Sequence, residues 1–253
     1  MDRSLEFVCN ICSTTNIADR MAIQRESNTC SACGSILRWR SIIAALSTTL
    51  YGSSRTLADI PTDRNIRGLG MSDWDGYASR LSLSYSYQNT FYDEPPRFDV
   101  MAPVAPEDVG KFDFIISSDV LEHVAPPYEQ ALHTLRTLLG PGGVLVISVP
   151  MTSADHTVEH YPDLHDYTIA RLQDEYVLVN RTSVGELQVF DDLVFHGGPG
   201  ATLEMRVFSA AELMDRLVAA GFDRVMPFDG EVPEHGIIWN EPCSYPIIAR
   251  VPD

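Results

Sequence analysis

The chain has 253 residues, 45% of them hydrophobic, and 35 acidic against 18 basic side chains give it a formal net charge of −17. That length supports one sizeable core with a small appendage. Lys111 is the sole lysine, so the clustered cations that grip a phosphate backbone are missing and no nucleic-acid partner is expected.

The longest apolar run, residues 143–149, falls far short of the roughly 20 residues that cross a bilayer. The start Met1-Asp2-Arg3-Ser4 leads into no signal-like apolar stretch. A cytoplasmic protein with no membrane partner is the expectation, and the oligomeric state is left open.

Four of the five cysteines form Cys9-x2-Cys12 and Cys30-x2-Cys33. In an unexported protein this spacing reads as a structural zinc ribbon, because two thiolate pairs close a tetrahedral site and staple a segment too short for its own core. Chance cysteines, a redox pair or a catalytic zinc are the alternatives. Cys243 stands apart and reads as packing.

Residues 1–36 form the expected ribbon, and residues 37–64 a docking helix and linker. The helix is signalled by apolar spacing in IIAALSTTLYG with Gly52 past its end. From Asn65 onward strand and helix signals alternate: NIRGLGM, a helix over 77–83, SYSYQNTFY, FDVMAP, the buried strand FDFIISS, a helix over 128–139, the turn Gly140-Pro141-Gly142-Gly143 and the strand VLVISVP. Such alternation predicts a mostly parallel sheet with helices on both faces. A polar insertion follows at about 151–207. The helix SAAELMDRLVAAGF is capped by Ser209 and Glu212 and closed by Gly221, and two antiparallel strands finish the 65–253 domain.

Ligands of open parallel sheets bind beyond the strands' carboxyl ends. The residues there are Gly68, Gly70 and Asp73; Asn89 and Thr90; Asp99; Ser118 and Asp119; and Glu122 with His123. Glycines allow close backbone approach, though Gly68-x-Gly70 also suits an ordinary turn. Asp99 suits an adenine amine or a turn cap, and 119–123 a site or a capped helix start.

FDFIISSDVLEHV followed by LRTLLGPGGVLVISVP resembles the post-strand-four and strand-five signature of class I S-adenosylmethionine-dependent methyltransferases, and AAGFDRV their approach to strand six. CSACGSILRWR resembles the ribbon of methyltransferase-like proteins with an N-terminal cysteine module. The resemblance implies a Rossmann-like methyltransferase sheet and S-adenosylmethionine as cofactor. It places Gly68, Gly70 and Asp73 at the methionine moiety, Asn89 and Thr90 at the ribose, Asp99 near the adenine, Ser118 and Asp119 along the methionine side, and His123 at the mouth. The chain departs from the family pattern in lacking the acid two before the first glycine and the strand-two acid, and in carrying Ser72 at the third glycine.

Methyl transfer needs alignment, exclusion of water and, for a hydroxyl acceptor, a base. The insertion offers His156, His160, His165, Asp166 and His196, with Glu204 and Arg206 just before the final helix. His165, His196 and His123 are the catalytic candidates. His160, Asp166 and Arg206 are the candidates for binding substrate. Each histidine also has a surface or structural reading, and Arg206 a salt-bridging one to Glu204 or another acid. The expected function is O-methylation of a hydroxyl or carboxylate on a small-molecule acceptor of secondary or sugar metabolism. The alternatives are an interaction protein with a degenerate methyltransferase domain and, against the charge, a ribosomal RNA methyltransferase.

Overall fold

The computed structural model describes residues 3–240 and 244–253; Cys243 lies outside them. In chain order the elements are β1 (Ser4–Val8), β2 (Thr15–Asp19), α1 (Leu37–Tyr51), β3 (Arg67–Met71), α2 (Asp75–Ser84), β4 (Ser86–Thr90), β5 (Phe112–Ser118), α3 (Glu129–Leu138) and β6 (Leu139–Ser148). Then come β7 (Met151–Thr152), β8 (Val158–Glu159), β9 (Asp166–Leu172), β10 (Glu175–Arg181), β11 (Leu187–Phe190), β12 (Phe195–His196), β13 (Thr202–Leu203), β14 (Arg206–Ser209), α4 (Ala210–Ala219), β15 (Arg224–Pro227) and β16 (Ile247–Arg250).

Six strands make the main sheet in the order β15-β16-β6-β5-β3-β4. The four from β3 to β6 run parallel, while β16 lies antiparallel to both β6 and β15. This is the Rossmann-like architecture. From β3 the chain steps outward to β4 and then crosses back to β5 on the other side. The carboxyl ends of β3 and β5 therefore flank the switch point at which such sheets bind ligands.

Both faces of the sheet are buried, so β5 and β6 read as continuous apolar runs. The two-residue period still sorts them. Ile115, Leu145 and Ile147 join a core with α3 and α4, whereas Phe114, Ile116, Val144 and Val146 face α1 and α2. The helix α1 is buried on almost every side and ends at Gly52, whose φ of 78° lets its amide close on the Thr48 carbonyl. In α4 the Ser209 side chain accepts from the Glu212 amide.

The cysteine module is fused to this core. Phe7, Cys9, Ile11 and Cys30 pack in one cluster with Ile42, Leu46, Tyr77 and Phe114. It is also held by a distant stretch of chain: the Phe7 ring covers Gly236, His235 Nδ1 meets the Val8 carbonyl at 3.0 Å, and Asn240 donates to the carbonyls of Arg20 and Ile23.

The insertion is folded. β9, β10 and β11 form an antiparallel sheet over a small core of Tyr161, Leu164, Leu178, Leu203 and Met205, and β7 and β8 pair with β14. FDVMAP makes a turn. Among the described residues no helix is long and apolar enough to cross a membrane.

Candidate functional site

Ser72 and Asp119 follow β3 and β5 directly, and both adopt left-handed backbone, with φ of 55° and 52°. Residues other than glycine hold this conformation at some cost, and such strain gathers at ligand sites. A cleft of about 190 Å³ opens between the two turns, lined by Arg38, Trp39, Ser72, Asp73, Trp74, Ser118, Asp119 and His196. Trp39 and Trp74 stack at 4.1 Å on its wall.

Asp119 is the anionic centre. Arg25 grips it through Nη2 at 2.6 Å and Nη1 at 3.0 Å, Arg38 Nε stands at 3.2 Å, and Ser148 Oγ donates at 3.1 Å. Burial alone would push this carboxyl up, but the charge and hydrogen bonds of Arg25, with Arg38 behind them, hold it below the usual range. Arg38 also donates to Ser118 Oγ at 2.8 Å and to both oxygens of Glu26.

The residues expected around the donor divide into two sets. Ser118, Asp119 and Asp73 reach the cleft. Asp73 sits deep, accepting from Tyr77 and Tyr87 hydroxyls, and burial outweighs those bonds to push its carboxyl up to about 7. Gly68 and Gly70 serve packing, since a Cβ at Gly68 would strike the Phe114 ring and one at Gly70 the Tyr87 hydroxyl and the Asp73 carboxylate. Asn89 braces the loop by accepting from the Asp73 amide at 3.0 Å and donating to its carbonyl at 2.8 Å, and Thr90 Oγ1 donates to the Gly70 carbonyl at 2.7 Å. Asp99 is exposed and caps its own turn through the Met101 amide.

The acceptor-side residues are likewise separated. His196 lines the cleft and meets His123 edge to face, with ring centroids 5.5 Å apart. His123 Nδ1 is fixed on the Leu203 carbonyl at 2.8 Å. His160 pairs with Glu204 at 3.2 Å. His165 and Asp166 are exposed at the start of β9, and His156 is exposed as well. Arg206, expected to meet substrate, is instead fully buried. It pairs with Glu159 at 2.7 Å, donates to the carbonyls of Leu121 and Val124, and lies over the Tyr128 ring, because a buried guanidinium must spend its donors internally.

Sequence reasoning missed Arg25, Arg38 and the tryptophan pair. The two cations inside CSACGSILRWRS were a usable signal, since Arg38 and Arg40 stand in an otherwise uncharged helix. Arg25 had none.

Residues 61–225 match the family described as methyltransferase domain. The chain belongs to this family. It is an S-adenosylmethionine-dependent methyltransferase. Among solved structures it is similar to an S-adenosylmethionine-dependent methyltransferase from Mesorhizobium loti, at 16% identity and a TM-score of 0.48, over 87% of this chain and all of the other (100%). It is also similar to the 1,6-didemethyltoxoflavin-N1-methyltransferase of Burkholderia thailandensis, at 17% identity and a TM-score of 0.44, over 84% and 79% of the two chains. No curated protein matches.

The cleft's side chains could hold the amino-acid end of a methyl donor. Asp119 offers an anionic partner for an ammonium, Arg38 a cationic one for a carboxylate, and the Trp39 and Trp74 rings an electron-rich wall for a sulfonium. In the cysteine module Cys9 and Cys33 sulfurs are 3.8 Å apart, Cys12 and Cys30 sulfurs 3.5 Å apart, and all four lie within 4.8 Å of one another. A tetrahedral zinc with bonds of about 2.3 Å has edges of about 3.8 Å, so these thiols could hold one.

Proposed function

We propose that this methyltransferase methylates an oxygen, hydroxyl or carboxylate, on a small-molecule acceptor, with Asp119, Arg38 and Ser118 holding the methionine end of the donor. The observation that carries the reading is the cleft at the β3–β5 switch point, where a carboxylate, a guanidinium and His196 of the insertion line one small space. Ribose and adenine would extend past the end of β4. Bound there, the donor supplies an electrophilic methyl on a sulfonium. The protein's share is to align, to shield from water with the Trp39–Trp74 wall and the insertion, and to ease loss of the proton from an acceptor hydroxyl. That last task falls to the group formed by Glu122, His123 and His196. The net charge of −17 favours a small acceptor over a polyanion.

The same proposal assigns structural zinc to Cys9, Cys12, Cys30 and Cys33. Arg40 supports it. Its guanidinium is fully buried and, among the described residues, donates to the Ser35 carbonyl and hydroxyl and the Gly236 carbonyl; burial lowers its pKa, and negative charge on the four nearby cysteines would oppose that. A zinc tetrathiolate carries two net negative charges and would neutralise it.

Isothermal titration of the zinc-replete protein with S-adenosylmethionine and S-adenosylhomocysteine tests the donor site. Saturable heat with both, lost in Asp119→Asn, is the expected result. Absence of heat with either overturns the placement.

A further inference from the structure

Glu122 is the least satisfied charged side chain of the site. It sits in a single helical turn, Leu121–His123, fully buried, and neither carboxylate oxygen receives a hydrogen bond. An unpaired buried carboxylate is costly enough that a cation is its natural complement. The turn itself is held firmly: Arg206 binds the carbonyls of Leu121 and Val124, and the Met205 amide donates to the Glu122 carbonyl at 2.7 Å.

His123 lies alongside with Nε2 at 3.8 Å from Glu122 Oε1. Its Nδ1 is engaged by the Leu203 carbonyl, so Nδ1 carries the proton and Nε2 keeps a free lone pair. A ring nitrogen pinned on a carbonyl while its partner points at a carboxylate is the outer-shell arrangement that orients metal-binding histidines. His196 completes the group from the β12–β13 hairpin, and the three potential ligand atoms lie within 4.8 Å of one another.

We propose that Glu122, His123 and His196 form a site for a divalent first-row transition-metal ion at the acceptor end of the cleft. Two imidazole nitrogens and one carboxylate are a donor set that such ions favour, and three protein ligands leave coordination positions open. Bonds of about 2.1 Å place ligand atoms about 3 to 4 Å apart, so from separations of up to 4.8 Å the group has to close by about 1 to 2 Å. His196 is exposed and can move that far. The thiolate site of the cysteine module is separate and is built for a closed tetrahedral ion.

Because His196 also lines the donor cleft, the open positions face the place where the acceptor must lie. The fitting acceptor presents two neighbouring oxygens that chelate, as in a catechol, a vicinal diol or an α-hydroxy acid. On the cation its hydroxyl loses a proton to solvent near neutrality, keeping the electron pair on the oxygen that is to be methylated. This choice of acceptor class rests on the methyl-transfer reading; the metal site does not.

The experiment is a cobalt(II) titration of the full, zinc-replete protein read by its visible spectrum, with no donor present. Expected are ligand-field bands saturating at one cobalt per chain without a thiolate-to-cobalt charge-transfer band. Affinity should fall about 10- to 100-fold or more in Glu122→Gln and in His196→Ala, and stay unchanged in His133→Ala on the exposed face of α3. His196 is a surface residue, so its variant keeps the test valid if Glu122→Gln fails to fold. No cobalt uptake beyond the cysteine module, or uptake indifferent to His196→Ala, overturns the site. Catechol added to the cobalt-loaded protein should shift the bands and phenol should not; an unchanged spectrum overturns the acceptor class. A failure of donor binding in the calorimeter leaves the cobalt result standing, so the two readings fail separately.

Discussion

Arg25 and Asp119, 94 residues apart in sequence, are joined by two hydrogen bonds of 2.6 and 3.0 Å that tie the cysteine module to the turn after β5. The arginine comes from the loop between the two cysteine pairs, and the aspartate is 4% exposed. Replacing Arg25 by alanine leaves that carboxylate to Arg38 and Ser148. Urea unfolding of Arg25→Ala should show a loss of about 1.5–3 kcal/mol, the usual worth of hydrogen bonds to a charged group. An unchanged midpoint would mean that Arg38 alone neutralises Asp119.

Asp73 titrates in the opposite sense from Asp119. Its carboxyl rises from 3.8 to about 7 because burial outweighs the hydrogen bonds of Tyr77 and Tyr87 and the pull of Arg38. The folded chain then keeps a proton that the unfolded chain releases, so this group's contribution to stability falls as pH rises from about 4 to about 7, and is level above. Asp119, held low, contributes above its unfolded value and loses that contribution only as the solution becomes more acidic. In Asp73→Asn, unfolding midpoints measured across pH 4 to 7 should lose that downward slope, worth on the order of a few kcal/mol.

Gly68 and Gly70 are occupied by aromatic neighbours, so even a methyl group is too much. Gly68→Ala would drive a Cβ into the Phe114 ring, and Gly70→Ala into Tyr87 and Asp73. Each should cost about 1–3 kcal/mol by overpacking, seen as a lower thermal midpoint. Gly70→Ala should also weaken donor binding by disturbing the Asp73 wall of the cleft, whereas Gly68→Ala should weaken it less. Equal stability of both variants with the parent would show that these strands yield more easily than their packing implies.

Removing the proposed zinc should unfold more than the cysteine module. Structural zinc contributes about 10–16 kcal/mol in isolated fingers, comparable to the whole stability of a domain. Here Phe7, Cys9 and Ile11 share a core with Phe114 of the central strand. Stripping with a chelator, followed by far-ultraviolet circular dichroism, should therefore show loss of the sheet and helix signal in one transition. Survival of that signal with only the Trp39–Trp74 band altered would separate the module from the rest.

What could be read from sequence follows the reach of each physical signal. FDFIISS and VLVISVP announced buried parallel strands because burial on two faces leaves few polar positions in a strand. Ser209 with Glu212 marked the start of α4, and the cysteine spacing marked the four thiols that gather within 4.8 Å of one another, because both patterns are local. The insertion gave no such signal, since β9 to β11 are half-exposed and their small core draws on Tyr161 and Leu203, far apart in the chain. The pairing of Arg25 with Asp119 and the meeting of Glu122 with His196 were unreadable for the same reason. Thr90 and Asn89, read as ribose partners, bond to backbone around the end of β3, and Arg206, read as a substrate partner, pairs with Glu159 inside the protein.

The Phe7–Gly236 and His235–Val8 contacts carry a cost during synthesis. The cysteine module leaves the ribosome early, yet the stretch that covers its apolar side is made roughly two hundred residues later, about 10–40 s at ordinary elongation rates. Through that interval Phe7 and Ile23, both buried in the finished protein, have no partner from residues 228–240 to rest on. The proposed zinc, captured promptly by the nascent chain, would keep the four thiols from oxidation and the module from aggregation while it waits.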